Sequence, residues 1–195
     1  MDVTDYSSLD LLLTFFEYIL KMRDPYETGH SVRVAWLALD IAKSMGIEQQ
    51  NVVEIWYGAR FHDVGKIALP VALLQKKGRI TKNEMLTLRS HVHLGLKLFE
   101  QLKINGQIWD VIAGHHENYD GSGYPLGLSN GSISVGAKIV QVCDRYDAIT
   151  SMRAYSPAKS KNDALIEMDR FTQQYDPEIY KVFKRQVKYA DYKEE

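Results

Sequence analysis

Apolar residues recur at helical spacing along most of the chain. In the first such run they follow the i, i+3, i+4, i+7, i+11 pattern of one helix face: Leu9, Leu12, Leu13, Phe16 and Leu20. No run alternates apolar and polar residues over the length of a strand. The sequence therefore predicts an all-α fold whose first helix docks its apolar face on another element.

Further helices are predicted wherever this spacing and helix-boundary residues coincide. Thr81 and Glu84 have the spacing of a capping box, which predicts the start of a helix that carries His91 and His93. The other predicted helices cover approximately residues 24–46, 48–63, 107–116, 135–151, 161–174 and 177–189. We expect residues 1–20 to be an N-terminal helix, residues 21–189 to be one helical bundle domain, and residues 190–195 to be a frayed tail.

The helical pattern is interrupted between residues 117 and 134. This segment contains Gly121, Gly123, Pro125, Gly127 and Gly131, a density of helix-breaking residues that excludes a regular helix. Loops of this length within compact domains are usually functional or disordered. We interpret the segment as a long ordered loop.

Charge and cysteine content narrow the class of protein. The chain has 195 residues and a net charge of -1, so it lacks the basic surface that binding to long DNA or RNA requires. Its single cysteine, Cys143, excludes an internal disulfide and a thiolate zinc site. In an otherwise apolar stretch, this cysteine is interpreted as a small core residue.

Membrane and export signals are not apparent in the sequence. The most apolar stretch, residues 9–20, has twelve residues and includes Asp10 and Glu17, which is too short and too charged to span a bilayer. No basic segment followed by an apolar core and a cleavage site occurs. The sequence therefore predicts a cytoplasmic protein with no membrane span.

The histidines provide the main chemical signal. All six lie between residues 30 and 116, followed by one further acidic candidate: His30, His62 beside Asp63, His91, His93, His115 beside His116, and then Asp144. Imidazole and carboxylate ligands together suit Fe, Mn, Co, Ni or Zn, and a shared carboxylate can bridge two ions. A two-metal site is typical of phosphate ester hydrolysis.

Spacing within these motifs suggests how they could cooperate. Near a helix end, adjacent side chains such as His62 and Asp63 can reach neighbouring metals. Lys66 lies four residues after His62 and so on the same helix face, where it can approach a phosphate held by those metals. Asp144 and Asp147 share a helix face, so the first could bind a metal while the second orients a neighbouring ligand. His93 is interpreted as an ordinary core or surface histidine.

Three motifs together resemble the HD-GYP family, a branch of the HD-domain metallophosphohydrolases. They are, in order, Phe61-His-Asp-Val-Gly-Lys-Ile-Ala-Leu-Pro70, His115-His-Glu-Asn-Tyr-Asp-Gly-Ser-Gly-Tyr-Pro125 and Asp144-Arg-Tyr-Asp-Ala-Ile-Thr-Ser-Met-Arg153. The resemblance covers residues 21–183 and extends to the segment from Asp24 to His30 and the segment from Phe171 to Pro177. It implies an HD-type helical bundle with a long ordered GYP loop.

The resemblance also implies an activity and a ligand set. Family members hydrolyse the second messenger cyclic di-GMP to linear pGpG, in some cases on to GMP, with a water activated by iron or manganese ions. By position, the implied metal ligands are His30, His62, Asp63, His91, His115, His116 and Asp144. The implied substrate contacts are Lys66, Asp24, Arg153 and Tyr124, of which Lys66 holds a phosphate oxygen and Tyr124 belongs to the GYP loop.

One departure from the family pattern bears on the number of metals. Members with three metals carry a glutamate four residues before the first histidine, where this chain has Tyr26, and Glu27 is one residue out of register. We therefore expect two divalent metals, Fe or Mn, rather than three.

Several alternatives stay open from the sequence. The substrate could be the hybrid 3′3′-cyclic GMP-AMP, or the domain could be a receptor that binds cyclic di-GMP or a diguanylate cyclase. A dGTPase-like or stringent-response hydrolase does not account for the GYP loop. The first helix could cover the core of its own chain or pair with its copy in a homodimer.

Overall fold

The computed structural model describes residues 6–24, 29–151 and 158–189. In these ranges the chain is helical and contains no β-strand, which confirms the predicted all-α class. The α-helices are α1 (Tyr6–Arg23), α2 (His30–Ser44), α3 (Gln49–Phe61), α4 (Val71–Leu74), α5 (Lys82–Arg89), α6 (His91–Gln101), α7 (Gly106–Gly114), α8 (Val135–Thr150), α9 (Lys161–Met168) and α10 (Pro177–Tyr189). Short 3₁₀ helices cover Val64–Ala68, Asn130–Ser132 and Asp169–Gln174.

The start of α2 differs from the sequence prediction. The helix begins at His30 rather than near residue 24, because Gly29 has a φ of 76° and cannot continue a right-handed helix. Residues 25–28, including Tyr26 and Glu27, lie outside the described part of the chain. This start makes His30 the first residue of its helix.

A second difference separates His91 from the capping box. The box of Thr81 and Glu84 is confirmed, but the helix it opens ends at Arg89, and α6 begins at His91 after Ser90. At this break the Ser90 hydroxyl donates to the carbonyl of Thr87 over 2.7 Å, so a side chain replaces part of the helical ladder. The stretch predicted as helix over 161–174 likewise changes to a 3₁₀ helix at residue 169.

Two apolar clusters hold the helices together. The larger one joins α2, α3, α7, α8, α9 and α10 and includes the fully buried side chains of Ile41, Ile139 and Phe183. The smaller one joins α1, α3, α6 and α7 around Phe61 and Phe99, whose rings meet edge to face. The candidate ligands are carried by helices from both clusters.

Helix α1 covers the smaller cluster within its own chain. Leu9 and Leu13 are buried against Phe61 and its neighbours, while on the outer side Leu11 and Tyr18 are exposed. The first of the two roles considered for this helix is therefore observed. No helix among the described residues has the length and apolar character needed to cross a membrane.

Candidate metal centre

The seven predicted ligands come from five helical segments, four of which end or begin around one point. His30 and His91 are the first residues of α2 and α6, and His115 and His116 directly follow α7. His62 and Asp63 occupy the junction between α3 and the 3₁₀ helix Val64–Ala68, and Asp144 lies within α8. Helix ends thus supply all of the candidate ligands except Asp144.

Gly65 allows two of these segments to approach each other. A Cβ atom at this position would lie 1.9 Å from the backbone oxygen of His91 and 2.6 Å from the backbone nitrogen of Gly95. No side chain fits between backbones that close. Gly65 therefore brings Asp63 next to His91, so the glycine of the His-Asp-Val-Gly-Lys motif is needed for the geometry of the site.

The structure arranges the predicted ligands in two adjacent groups. In each group, one potential ligand atom per residue lies within 4.8 Å of the others. The first group contains Asp63, His91, His115 and His116, and the second contains His30, His62 and Asp144. His93, by contrast, is exposed and belongs to neither group.

Hydrogen bonds donated by Nδ1 fix the orientation of four histidine rings. Three Nδ1 atoms donate to backbone carbonyls three residues earlier: His62 to Ala59 over 2.7 Å, His91 to Leu88 over 2.7 Å, and His115 to Ile112 over 3.0 Å. The Nδ1 atom of His30 donates instead to Asp147 over 2.7 Å. Because each Nδ1 carries the proton, each Nε2 presents a lone pair to the cluster.

These lone pairs face one another at short range. The Nε2 atoms of His30 and His62 are 3.2 Å apart, and those of His91 and His115 are 3.3 Å apart. Two acceptors at that distance require a cation or a proton between them, and ligands about 2.1 Å from a shared ion lie about 3 Å apart. The arrangement of the nitrogen atoms fits metal ions.

Asp63 fits a metal in the same way. Its Oδ1 is buried without a hydrogen-bond partner among the described residues and lies 3.2 Å from Nε2 of His91. Its Oδ2 lies 3.2 Å from Nε2 of His62, in the other group. A carboxylate with one oxygen toward each group can bridge two ions, and a buried oxygen without a partner is costly in any other role.

Charges within the cluster shift the pKa values of its members. Burial lowers the pKa of His116 to about 3, and burial together with His116 and His62 holds the pKa of His115 well below its usual range. Burial opposes ionisation of Asp63, but Lys66 and His62 hold its pKa well below the usual value. The carboxylate is thus charged and these two imidazoles are neutral, as metal ligands must be.

The open side of the cluster is at His116 and Asp144. Their side chains are 24% and 16% exposed, against 3% for His30 and 0% for His62. Lys66, 17% exposed, places Nζ 2.6 Å from Oδ2 of Asp63. A ligand from solvent would therefore reach the centre along this side.

The other predicted site residues have different surroundings. Tyr124 stacks its ring on that of His116, with centroids 4.6 Å apart. Asp24 directly follows α1, is buried, and belongs to neither of the two groups. Arg153 lies outside the described residues, and its role stays a prediction. Cys143 is fully buried in the larger apolar cluster, in agreement with its interpretation as a core residue.

Glu117 organises the loop that carries Tyr124. Its buried carboxylate accepts hydrogen bonds from the backbone nitrogens of Leu126, over 2.7 Å, and Leu128, over 3.0 Å. The backbone nitrogen of Tyr124 also donates to the carbonyl of His116 over 3.1 Å. The loop is therefore folded back on the segment that bears two candidate ligands, as the prediction of an ordered loop requires.

The sequence did not single out Glu117 or Arg33 as site residues. Arg33 donates from Nε and Nη2 to the two carboxylate oxygens of Asp147, the residue that orients His30. Arg33 lies three residues after His30, and this spacing indicates that the two side chains share a helix face. Glu117 offered a weaker signal, a carboxylate at the start of a loop whose backbone N–H groups need acceptors.

Comparison with known proteins places the chain in a family. A family model described as "HD domain" matches residues 14–179, which is most of the chain. The chain belongs to the HD domain family. HD-domain proteins bind divalent metals, and the described histidine and aspartate cluster can hold them.

The chain is also similar to curated relatives, and its fold is similar to that of a solved structure. The chain is 35% identical to a protein of Pseudomonas aeruginosa named cyclic di-GMP phosphodiesterase, over 86% of this chain and 41% of that protein. It is 29% identical to a 3′3′-cGAMP-specific phosphodiesterase of Vibrio cholerae, over 93% of this chain and 40% of that protein. The fold matches an HDG"Y"P protein of Bdellovibrio bacteriovorus with a TM-score of 0.68 at 20% identity, over 82% of this chain and 51% of that one. The predicted resemblance to HD-GYP proteins is confirmed, and the chain spans less than half the length of these two curated relatives.

Proposed function

We propose that this HD domain is a metal-dependent phosphodiesterase that hydrolyses cyclic di-GMP to linear pGpG. The observation that carries the proposal is the pair of ligand groups joined at His62 and Asp63, with the partly exposed Lys66 ammonium beside the carboxylate of Asp63. A receptor would need affinity for the dinucleotide but could dispense with a complete ligand set. The name of the Pseudomonas aeruginosa relative supports cyclic di-GMP as the substrate.

The metals would be held by all seven predicted ligands. His91, His115 and His116 would hold one ion, and His30, His62 and Asp144 the other, with Asp63 bridging the two. Two divalent ions held there, Fe or Mn, would supply Lewis acidity and an activated water for attack on phosphorus. Asp147 would keep the proton of His30 on Nδ1 and so leave Nε2 free for a metal.

Lys66 and Tyr124 would act on the substrate rather than on the metals. The Lys66 ammonium, at the edge of the cluster, would exchange part of its contact with Asp63 for a non-bridging phosphate oxygen and offset the charge that develops there. Burial, together with Asp63 and Asp144, raises the pKa of Tyr124, so its phenol stays neutral and can donate a hydrogen bond. Asp24 and Arg153 stay proposed substrate contacts on the basis of the family resemblance.

The hybrid 3′3′-cGAMP is the second candidate substrate. The name of the Vibrio cholerae relative supports it, and the phosphate chemistry is the same for the two dinucleotides. Discrimination would depend on contacts with the bases, whereas the ligand cluster acts on the phosphate.

Location and partners are also proposals. We infer a cytoplasmic location from the sequence. If the chain forms a homodimer, we expect the contact to use the outer face of α1, where Leu11, Phe15 and Tyr18 are exposed. A diguanylate cyclase partner stays a prediction from the sequence alone.

The test is an assay of purified protein reconstituted with Mn(II) or Fe(II) under anaerobic conditions. We expect cyclic di-GMP to be converted to pGpG with a higher kcat/KM than 3′3′-cGAMP, and we expect chelator to abolish the reaction. Tight binding of cyclic di-GMP without any linear product would favour the receptor function. A higher kcat/KM for the hybrid would keep the enzyme class and change the substrate.

Asp63→Ala provides the inactive reference for this assay. Removing the bridging carboxylate should empty both metal sites while the helical fold persists. Glu100→Ala is the matched control, because Glu100 is an exposed carboxylate near the end of α6. Two metal equivalents in the Asp63→Ala protein would contradict the bridging role.

A further inference from the structure

Three side chains form a column at the open side of the metal centre. The Tyr124 ring stacks on the ring of His116 at a centroid distance of 4.6 Å. The guanidinium carbon of Arg89 lies over Tyr124, 4.5 Å from the ring centroid. An arginine is thus placed two stacking steps from a candidate metal ligand that is itself partly exposed.

Arg89 is exposed and, among the described residues, forms no ion pair with a carboxylate. Its guanidinium carbon lies over the ring of Tyr124, which is a cation–π contact with the face of the aromatic ring. The N–H groups at the edge of a stacked guanidinium stay available for hydrogen bonds. Arg89 therefore presents an oriented cation without a bound anion.

The proposed substrate contains a second phosphate that this cation could bind. A cyclic dinucleotide carries two phosphodiesters in one ring, and only one of them can occupy the metals and Lys66 during a reaction. The second phosphodiester remains attached to the same ring and needs its own counter-charge near the opening. A planar guanidinium can bind two phosphate oxygens with two parallel hydrogen bonds.

We propose that Arg89 binds the non-reacting phosphate of the cyclic dinucleotide, with Tyr124 holding the guanidinium in position. The inference rests on the proposed function and adds a second phosphate subsite to it. Lys66 and Arg89 then divide the substrate between them: Lys66 contacts the phosphate that is cleaved and Arg89 the one that is retained.

The local structure holds Arg89 at this place. Arg89 is the last residue of α5, whose first turn is fixed by the capping box of Thr81 and Glu84. After Ser90, the chain continues directly into His91, whose ring is fixed by its bond to the carbonyl of Leu88. The position of Arg89 is therefore tied to that of a candidate metal ligand two residues away.

The test compares a substrate that has two phosphates with one that has a single phosphate. Wild-type protein, Arg89→Ala and Arg89→Lys are loaded with Mn(II) and assayed on cyclic di-GMP and on bis(p-nitrophenyl) phosphate. Lys82→Ala, which removes an exposed cation at the other end of α5, is the matched control. Metal content is measured for every protein, and the dissociation constant of the product pGpG is measured by calorimetry.

We expect Arg89→Ala to raise KM for cyclic di-GMP and the dissociation constant of pGpG by about 10-fold to 100-fold, as for loss of charged hydrogen bonds. The ratio of kcat/KM for cyclic di-GMP to that for the single-phosphate diester should fall by a similar factor. Arg89→Lys should fall between wild type and alanine, because it keeps the charge but loses the planar fork. Metal content should match wild type.

Other results would overturn the proposal in distinguishable ways. An unchanged KM in Arg89→Ala, with an active wild type, would remove Arg89 alone. An equal loss on both substrates would mean that Arg89 acts by supporting Tyr124 and does not bind phosphate. A wild-type protein that cleaves only the single-phosphate diester and binds no cyclic dinucleotide would refute the proposed function and this subsite with it.

Discussion

Asp147 accepts a hydrogen bond from Nδ1 of His30 over 2.7 Å, between residues that are 117 positions apart in the chain. The two oxygens of the same carboxylate also accept hydrogen bonds from Nε and Nη2 of Arg33. Burial opposes ionisation of Asp147, but these two partners lower its pKa overall, so it is charged at neutral pH. His30 is thereby fixed with Nε2 toward His62 and Asp144.

Replacement of Asp147 by Asn should weaken metal binding without unfolding the protein. The amide lacks the charge that holds the His30 proton, and its NH2 group would oppose Arg33. Loss of such a supporting carboxylate typically costs about 10-fold to 100-fold in metal affinity. Titration of the chelated protein with Mn(II) measures the effect, and Ser151→Ala, which removes a weaker 3.1 Å bond to Asp147, is the control. Equal affinities in the two variants would show that the orientation of His30 does not depend on this charge.

Replacement of Glu117 by Gln should release the loop from the metal centre. The amide can accept from one of the two backbone N–H groups but places its own N–H against the other. A buried donor without a partner costs about 1–3 kcal/mol, and displacement of the loop by about 1 Å can cost up to about 100-fold in rate. We expect a lower Tm and at least about a tenfold loss of kcat/KM on cyclic di-GMP.

Asp120→Asn is the matched control for the loop. Asp120 lies in the same loop and accepts hydrogen bonds from the backbone and hydroxyl of Ser122, contacts that an asparagine oxygen can keep. The two variants should therefore differ in Tm and in activity. If Glu117→Gln behaved like Asp120→Asn, the carboxylate of Glu117 would not be what holds the loop.

Replacement of Gly65 by Ala should disrupt the centre by steric overlap. The new methyl group would meet backbone atoms of His91 and Gly95, which cannot rotate away, so the two segments must separate. We expect destabilisation of about 3 kcal/mol or more and less than one metal equivalent in the soluble protein. Gly131→Ala, at a loop position with no atom within 4 Å of the added carbon, should leave both quantities at their wild-type values. Full metal content in Gly65→Ala would refute the close approach.

Removal of the metals should lower thermal stability. A ligand that binds only the folded chain at 100 times its Kd stabilises it by about 2.7 kcal/mol. For a chain of this size, about 1 kcal/mol corresponds to about 2–4 °C in Tm. Adding Mn(II) to chelated protein should therefore raise Tm by at least about 5 °C, and Asp63→Ala should not respond. A shift of the same size in Asp63→Ala would point to binding elsewhere on the chain.

The sequence predicted the fold class from helical spacing, and it predicted the candidate ligands from short motifs and their resemblance to a family. Helical spacing marked α1 and α8, and the motifs around His62 and His115 indicated metal chemistry before any contact was known. The structure brings those residues into two groups, although their role as ligands stays a prediction.

The features that were missed depend on backbone conformations and hydrogen bonds that no pattern of side chains marks. Helix α2 was expected to begin near residue 24, since Pro25 suits a first turn, but the left-handed conformation of Gly29 sets the start at His30. The break at Ser90 requires side-chain bonds that compete with the helical ladder. The partners of Glu117 are backbone N–H groups nine and eleven residues further along the chain, which carry no side-chain signal.

The distribution of the seven candidate ligands over five helical segments affects how long the protein would persist in a cell. A chain in which any of these segments is unfolded does not assemble the whole set, so metal ions would stabilise the chain only when all five segments are folded. The unfolded fraction, which proteases remove, would grow as the metal supply falls. A cell short of metal would therefore lose the protein itself and not only its activity, so the abundance of the protein would follow the availability of metal.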